Sequence, residues 1–412
     1  MPKIIFFTFD SYNVINGVNT WLIDFCPFLK AKGYEVTVIA QSYHKSGENL
    51  TLNILSQKGI HISLIPNIPY YTDSQAHKCW QYILQYKPDI IINNSILPAF
   101  YTFAYAKQYG VQCINITHNH STYDLSFLDR FISEYPLSKP HHWVAVSKEL
   151  CNYMMQKYPK YTHFRHIPCG VAAPAQYALP PTHTFKIIYA GRLDDEQKNI
   201  ITLTHTLCRL VAALPYAYVE MYGNGTHRQQ VTDIIYQAKN NNIKYGGQVS
   251  PLELKQKISQ FHSIIFMSHY EGTPVALMEG MIAGLVPLLG CKTGGIADMV
   301  MHEDTGYYFN NFDELVQTVS YLYSTPADWS KISDNAKVFV QKKYSLDAIY
   351  KLWEQIFAMR EDASIIKTDK FALPAPSTDK TLNDTRRPPL LVRLWKRLII
   401  FLCNNALLMR SK

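Results

Sequence analysis

Residues 263–298 constrain the fold of this chain more than any other stretch. Two short apolar runs, Ser263–Ser268 and Val286–Leu289, flank a segment in which Thr273 and Pro274 indicate the start of a helix. Threonine is a common N-cap residue and proline a common first helical residue. A strand, a helix and a second strand in this order predict a parallel sheet, with both strand ends at the edge where open α/β proteins bind ligands.

The loops at that edge have the chemistry of an anion site. Free N–H groups at the helix start favour a phosphate, and Gly294 and Gly295 let the backbone approach the same anion. Glu271 and Glu279, one before the helix and one within it, can accept hydrogen bonds from vicinal hydroxyls on either side of that phosphate. A nucleotide sugar carries such hydroxyls on its ribose and on its hexose. The two carboxylates alone also fit ordinary surface and helix positions of a doubly wound domain.

This combination resembles the E-x7-E signature of the family-four retaining glycosyltransferases, the glycosyl transferases group 1, which have the GT-B fold. The resemblance implies that Glu271 contacts the donor sugar, in a catalytic role, and that Glu279 holds the ribose. It also implies donor contacts from the residues at the helix start, namely Gly272, Thr273, Pro274 and Val275.

A second motif comes after another predicted strand. It consists of Gly191-Arg192-Leu193 and Lys198, and it resembles the motif with which the family holds the donor diphosphate. Fixed cations suit this role, because negative charge develops on a leaving diphosphate. The resemblance makes Arg192 and Lys198 catalytic and donor-binding residues, and it places Gly223 in the donor site. The acidic run at 194–196 is predicted to be a solvated loop. The resemblance implies that no metal ion and no cofactor are needed, and the sequence shows no second cluster that would complete a metal site.

The N-terminal part of the chain opens as a βαβ unit. Strands are predicted at 3–9 and 35–40, around a helix at 18–32. In the loop before this helix, the resemblance implies a donor contact from Gly17, where the family usually has a glycine pair. A plain loop glycine is the alternative.

Two histidines follow the strand predicted at Gln112–Thr117. His118, the first residue past this strand, resembles the histidine that many family members place near the donor sugar, and we assign it that catalytic role. His120 is the other candidate for the histidine near the donor sugar. A loop histidine that makes ordinary hydrogen bonds is the alternative to both.

Two domains account for 412 residues better than one. The resemblance implies an α/β architecture of the GT-B type, in which two Rossmann-like doubly wound domains face a cleft. We place an acceptor-binding domain at 1–171 and a nucleotide-sugar-binding domain at 185–345, joined by a Pro- and Ala-rich linker. A helix at 346–360 is expected to cross back to the first domain.

Composition and charge limit the partners. The chain is 47% apolar, as expected of a globular protein, and shows no secretory signal. Its eight cysteines are scattered without a CxxC pair, which favours a reducing cytosol. Seven basic residues and no acidic ones lie at 386–412, so this tail accounts for most of the net charge of +8. The nearly neutral body argues against a nucleic-acid partner.

The C-terminal tail is predicted in two parts. Residues 361–389 are poor in large apolar side chains and contain four prolines, which predicts a linker. Residues 390–409 are predicted to form an amphipathic helix, with Arg393, Lys396 and Arg397 facing the anionic inner leaflet of the membrane. A helix docked on the protein itself or on a second subunit is the alternative.

These expectations combine into one function. They describe a retaining hexosyltransferase that uses a nucleoside-diphosphate sugar as donor. Its acceptor would be a membrane glycolipid or nascent surface polysaccharide, of the lipopolysaccharide or exopolysaccharide type. The enzyme would be cytoplasmic and peripherally bound to the inner face of the cell membrane. A nucleotide-sugar epimerase or hydrolase of the same fold and a non-catalytic membrane scaffold are the alternatives.

Overall fold

The computed structural model describes residues 1–10, 17–42, 50–67, 70–359 and 371–387. These residues form two α/β domains, each built on a parallel sheet with helices on its faces. The two Rossmann-like domains predicted from the sequence are therefore confirmed.

The first domain contains a seven-stranded sheet. Its strands are β1 (Lys3–Asp10), β2 (Glu35–Ser42), β3 (His61–Pro66), β4 (Ile90–Asn93), β5 (Gln112–Thr117), β6 (His142–Ala145) and β7 (Phe164–His166). They lie in the order β3-β2-β1-β4-β5-β6-β7. The helices are α1 (Gly17–Ala31), α2 (Leu50–Gln57), α3 (Thr72–Tyr86), α4 (Leu97–Phe100), α5 (Phe103–Ala106), α6 (Thr122–Leu128) and α7 (Lys148–Lys157).

The second domain contains a six-stranded sheet. Its strands are β8 (Phe185–Ala190), β9 (Ala217–Tyr222), β10 (Ile243–Gly247), β11 (Ser263–Phe266), β12 (Val286–Leu289) and β13 (Tyr307–Tyr308), in the order β10-β9-β8-β11-β12-β13. The helices are α8 (Asp195–Lys198), α9 (Ile200–Ala213), α10 (Arg228–Ala238), α11 (Pro251–Lys257), α12 (Val275–Ile282), α13 (Gly294–Met299), α14 (Phe312–Ser324), α15 (Pro326–Tyr344) and α16 (Leu346–Ala358). Among the helices of the described residues, none combines the length and apolarity needed to cross a lipid bilayer.

The central strands are buried along their whole length because helices cover both faces of each sheet. All four residues of β4 and all four residues of β12 are buried. The helices that cover the sheets have apolar residues along one face. In α14, Leu315, Val319 and Leu322 are buried at the spacing of one helix face.

The helical segment at 97–109 is not continuous. It is divided into α4, α5 and a 3-10 turn at 107–109. The division falls at Thr102, whose hydroxyl donates to the carbonyl of Ala99 at 2.6 Å. A threonine side chain bonded to the preceding turn competes with the regular helix ladder.

Helix α16 lies at the end of the second domain but packs against the first. The indole of Trp353 stacks on that of Trp21 in α1, with ring centroids 6.4 Å apart. Lys32 Nζ and Asp347 Oδ1 are 3.0 Å apart at the same interface. These contacts join the two domains.

Residues 371–387, which we name the strap, pack on the first domain. Phe371 stacks on Trp80 with ring centroids 5.7 Å apart, and Leu382 is buried. The linker predicted at 361–389 is therefore wrong for these residues, because apolar side chains of the strap find distant partners that local composition does not reveal. Residues 361–370 and 388–389, like the amphipathic helix predicted at 390–409, lie outside the described residues.

Candidate active site

A cavity of about 770 Å³ lies in the cleft between the two domains. Residues that follow strand ends line it, such as His118 after β5 and Gly223 after β9. This edge of a parallel sheet is where open α/β proteins bind ligands. All eleven predicted site residues line this one cavity, namely Gly17, His118, Arg192, Lys198, Gly223, Glu271, Gly272, Thr273, Pro274, Val275 and Glu279.

Helix α12 begins later than predicted. It starts at Val275, with Pro274 as its N-cap residue and no side-chain hydrogen bond to the cap. The hydroxyl of Thr273 instead donates to the carbonyl of Val146 in the first domain at 2.5 Å. The prediction of Thr273 as N-cap and Pro274 as first helical residue is wrong, because the threonine hydroxyl is bonded across the domain interface. The start of α12 still lines the cavity, so its free N–H groups are available to an anion.

Glycines allow the backbone beside α12 to come very close to two other segments. A Cβ on Gly272 would lie 2.0 Å from the carbonyl oxygen of His118, and a Cβ on Gly294 would lie 1.8 Å from that of Glu271. Gly294 also has a φ of 53°. A larger residue at either position would push these segments apart. The close approach predicted for Gly294 and Gly295 is thus directed at the Glu271 loop, and neither glycine lines the cavity.

Lys198 and Glu271 form a buried ion pair in the cavity wall. Lys198 Nζ lies 2.6 Å from Glu271 Oε1, and the two side chains are 12% and 4% exposed. The hydroxyl of Ser268 donates to the same carboxylate oxygen at 2.7 Å. Poor solvent access strengthens the attraction between the charges. The pair therefore holds a cation and a carboxylate side by side in a defined position.

Arg192 occupies a more open position at the cavity. Its Nη1 lies 2.8 Å from Asp194 Oδ2, and its side chain is 41% exposed. Asp194 also accepts a hydrogen bond from the backbone N–H of Gln197 at 3.1 Å, as the N-cap of α8. The acidic run at 194–196 is thus the start of a short helix, and the solvated loop predicted there is wrong. This helix start orients the guanidinium while leaving part of it open to the cleft.

Glu279 lies within α12 and is 4% exposed. Burial raises the pKa of its carboxyl to about 7, the positive charge of Lys255 opposes this rise, and the negative charge of Asp24 adds to it. Lys255 Nζ is 3.8 Å from Glu279 Oε1 and also contacts Asp24 of α1, so this cluster spans the two domains. Among the described residues Glu279 Oε1 has no hydrogen-bond partner. A buried acceptor of this kind suits a ligand hydroxyl.

The structure separates the two candidate histidines. His118 lines the cavity, and its Nε2 lies 2.9 Å from Asn94 Oδ1. Burial lowers the pKa of His118 to about 3, so the ring is neutral near physiological pH. His120 is exposed and packs on Tyr153 with ring centroids 4.3 Å apart, away from the residues that line the cavity.

The two remaining predicted glycines differ in how strictly the site requires them. A Cβ on Gly223 would lie 1.8 Å from the carbonyl oxygen of Gly191, so a larger residue cannot fit without movement. A Cβ on Gly17 would lie 3.8 Å from Val275 Cγ2, which is an ordinary contact. Gly17 thus lines the cavity, but the space around it would also admit a Cβ atom.

Much of the cavity wall formed by the first domain and the strap was not predicted from the sequence. Asn94 follows β4, and Asp124 lies shortly after β5, so a search of every strand end could have found both. Tyr70, Leu382 and Asn383 also line the cavity. No local pattern marks these three, since distant contacts bring them to the cleft.

Comparison with known proteins identifies the family. The model described as glycosyl transferases group 1 matches residues 176–339, and the model described as glycosyltransferase family 4 matches residues 15–173. Together these two matches span most of the chain.

Solved structures of low sequence identity share the fold. HepE from Anabaena, in complex with UDP and glucose, has a TM-score of 0.68 and 16% identity, over 87% of this chain and 100% of that chain. TarM from S. aureus, in complex with fondaparinux, α-GlcNAc-glycerol and UDP, has a TM-score of 0.68 and 11% identity over the same shares. The lipopolysaccharide outer core galactosyltransferase WaaB has a TM-score of 0.61 and 17% identity, over 86% of this chain and 99% of that chain. These structures show the GT-B fold, and the two family-model matches show that the chain belongs to the family-four glycosyltransferases.

Proposed function

We propose that this glycosyltransferase moves a hexose from a nucleoside-diphosphate sugar to a sugar hydroxyl, with retention at the anomeric carbon. One observation carries the proposal. The cleft places the Lys198–Glu271 pair, the start of α12 and His118 of the opposite domain around a single cavity. Cations and backbone N–H groups suit the diphosphate, and the carboxylate and imidazole suit the sugar.

The chemistry is a displacement on the face from which the diphosphate leaves. The acceptor oxygen forms the new bond to the anomeric carbon as the bond from that carbon to the diphosphate oxygen breaks. The acceptor proton passes to a diphosphate oxygen. Arg192, Lys198 and the backbone at 273–275 stabilise the negative charge of the leaving group.

Glu271 and His118 have positioning roles toward the donor sugar. The ion pair with Lys198 and the hydrogen bond from Ser268 hold the Glu271 carboxylate in place. His118 is neutral because burial lowers its pKa to about 3. It can therefore bind a sugar hydroxyl without changing its charge near neutral pH. A reaction between groups held in this way avoids much of the entropy loss of a bimolecular step.

We propose a UDP-sugar as the first donor to test, because HepE and TarM, which share the fold, are both structures with UDP. Glu279 would accept hydrogen bonds from the ribose hydroxyls. The positive charges of Arg192 and Lys198 supply what a metal ion supplies in other enzymes, so we expect transfer without a metal ion or other cofactor.

For the acceptor we propose a membrane glycolipid or a nascent polysaccharide of the lipopolysaccharide or exopolysaccharide type. WaaB, which shares the fold, acts on the lipopolysaccharide outer core. The basic and apolar tail at 386–412 supports a position in the cytoplasm at the inner face of the membrane. Pelleting of the full chain with vesicles that contain anionic lipid, and not with neutral vesicles, tests this placement.

A thermal-shift screen tests the donor class and the role of Glu279. UDP, GDP, ADP and their hexose conjugates are compared on the wild type, on Glu279→Gln and on Glu303→Gln, whose carboxylate is exposed outside the cleft. A ligand at a hundred times its Kd stabilises by about 2.7 kcal/mol. We expect one nucleotide class to stabilise the wild type and the Glu303 variant, and to stabilise Glu279→Gln much less. No shift with any nucleotide would overturn the proposal.

A further inference from the structure

The strap forms part of the cleft although it lies outside both ranges that the family models match. Leu382, which is 1% exposed, and Asn383 line the cavity with residues of both domains. Asn383 follows a short 3-10 turn at Lys380–Leu382 and has a φ of 49°. Asparagine is one of the few residues that adopt this left-handed conformation readily. The strap therefore has a defined turn at the cavity wall.

Buried polar contacts hold this turn on the first domain. Asp384 Oδ2 accepts hydrogen bonds from the hydroxyl of Tyr101 at 2.6 Å and from the backbone N–H of Ser377 at 2.8 Å. The backbone N–H of Thr72, at the start of α3, donates to the carbonyl of Thr385 at 2.8 Å. Hydrogen bonds to a buried charged group are among the stronger ones in proteins. The strap is thus an integral part of the first domain.

The turn also packs on α6, which carries a buried carboxylate of the cavity wall. Asp124, in the first turn of α6, is 8% exposed and accepts a hydrogen bond from the hydroxyl of Ser121 at 2.7 Å. Burial raises the pKa of Asp124 to about 6, although hydrogen bonds from Ser121 and Ser95 oppose the rise. A carboxylate removed from water to this extent gains from each further hydroxyl that donates to it.

Aromatic rings complete this part of the wall. Tyr70 and Tyr123 line the cavity together with Asp124, Leu382 and Asn383. The strap also contacts the Tyr70 segment directly, because the hydroxyl of Thr385 donates to the carbonyl of Tyr70 at 3.3 Å. A pyranose ring has an apolar C–H face, which suits an aromatic ring, and equatorial hydroxyls, which suit a carboxylate and an amide.

We propose that the strap completes the acceptor subsite, in which Asp124 and Asn383 bind hydroxyls of the acceptor's terminal sugar beside Tyr70 and Tyr123. This inference rests on the proposed glycosyl transfer. Its position is consistent with the reaction, since His118, assigned to the donor sugar, and Asp124 both lie on the segment after β5. The acceptor site of this enzyme thus includes a segment from near the C-terminal end of the described chain.

Saturation-transfer NMR on the full chain tests the subsite, with methyl pyranosides of glucose, galactose, mannose and N-acetylglucosamine as probes in the presence of saturating UDP. Asp124→Asn keeps the size of the side chain and removes its charge. Asn383→Gly removes the amide and keeps a residue that accepts a positive φ. Lys239→Gly is the matched control, because Lys239 is exposed, has a φ of 48° and lies outside the cavity.

We expect at least one probe to bind the wild type and the control, and each of the two subsite variants to weaken that binding at least fivefold. The thermal shift with UDP should be unchanged in all of them. Equal probe binding in the wild type, Asp124→Asn and Asn383→Gly would overturn the inference, and so would the absence of probe binding to the UDP-loaded wild type. Failure of the proposed function gives a different result, because the wild type would then show no thermal shift with any nucleotide.

Discussion

Replacing Lys198 by methionine tests the ion pair that we place at the reaction centre. Lys198 Nζ lies 2.6 Å from Glu271 Oε1, and the Glu271 side chain is 4% exposed. The substitution leaves a buried carboxylate that keeps its hydrogen bond from Ser268 but loses its counter-charge. Breaking a buried pair by removing one partner costs about 3–5 kcal/mol. The double variant Lys198→Met/Glu271→Gln should recover most of this loss, because no uncompensated charge remains.

Thermal denaturation of the wild type, the two single variants and the double variant measures the coupling. For a unit of about 150–250 residues, 1 kcal/mol corresponds to roughly 2–4 °C. Lys198→Met should therefore lower the unfolding midpoint of the second domain by roughly 6–20 °C.

Lys244→Met is the matched control for this experiment. Lys244 Nζ lies 2.9 Å from Glu220 Oε1, but the lysine side chain is 52% exposed. Its loss should cost less than about 1 kcal/mol, because water screens the exposed pair. If Lys198→Met lowers the unfolding midpoint no more than Lys244→Met does, the buried Lys198–Glu271 pair does not contribute the stability stated above.

Three further changes test other parts of the structure. Burial raises the pKa of the Glu279 carboxyl from 4.5 to about 7, so the folded state binds the carboxyl proton more tightly than the unfolded state does. The folded state therefore loses up to about 3 kcal/mol of stability as the pH rises from 4.5 to about 7. Glu279→Gln should flatten this pH dependence in thermal melts from pH 4 to pH 8, and an identical pH profile in both proteins would argue against the shift. Gly272→Ala would bring its Cβ to 2.0 Å from the His118 carbonyl oxygen and should lower the melting temperature. Gly17→Ala, whose Cβ would lie 3.8 Å from Val275 Cγ2, should leave the melting temperature nearly unchanged. Equal effects of the two substitutions would contradict the close approach of Gly272 to His118. Asp384→Ala removes the acceptor of the Tyr101 hydroxyl and should release the strap from the first domain. Trypsin should then cleave faster after Lys380. An unchanged cleavage rate would show that Asp384 does not hold the strap.

The central parts of the fold and of the site follow from local sequence. The bounds predicted for β5 and β12 agree with the structure. The strand β12 is a short continuous apolar run, which is the pattern of a buried parallel strand. The site residues could be found in the same way. Arg192, Lys198 and Glu271 each lie shortly after a strand, and the ends of parallel strands meet at one edge of the sheet.

The misses have a common physical cause in contacts between distant parts of the chain. The hydroxyl of Thr273 bonds to the first domain, so the local N-cap pattern does not determine its partner. Lys255 and Asp24 meet across the two domains, and no spacing in the sequence relates them. Phe371 lies in a stretch with the composition of a linker, yet it packs on Trp80 of α3.

Retention of the anomeric configuration is the central claim about the reaction, and one NMR measurement tests it without an identified acceptor. Proton NMR follows the slow hydrolysis of UDP-α-D-glucose, or of the corresponding α-hexose conjugate of the nucleotide that stabilises the protein, with water as the acceptor. We predict that the free sugar first appears as the α anomer, before mutarotation, and that Lys198→Met slows its release. Initial release of the β anomer would contradict the account.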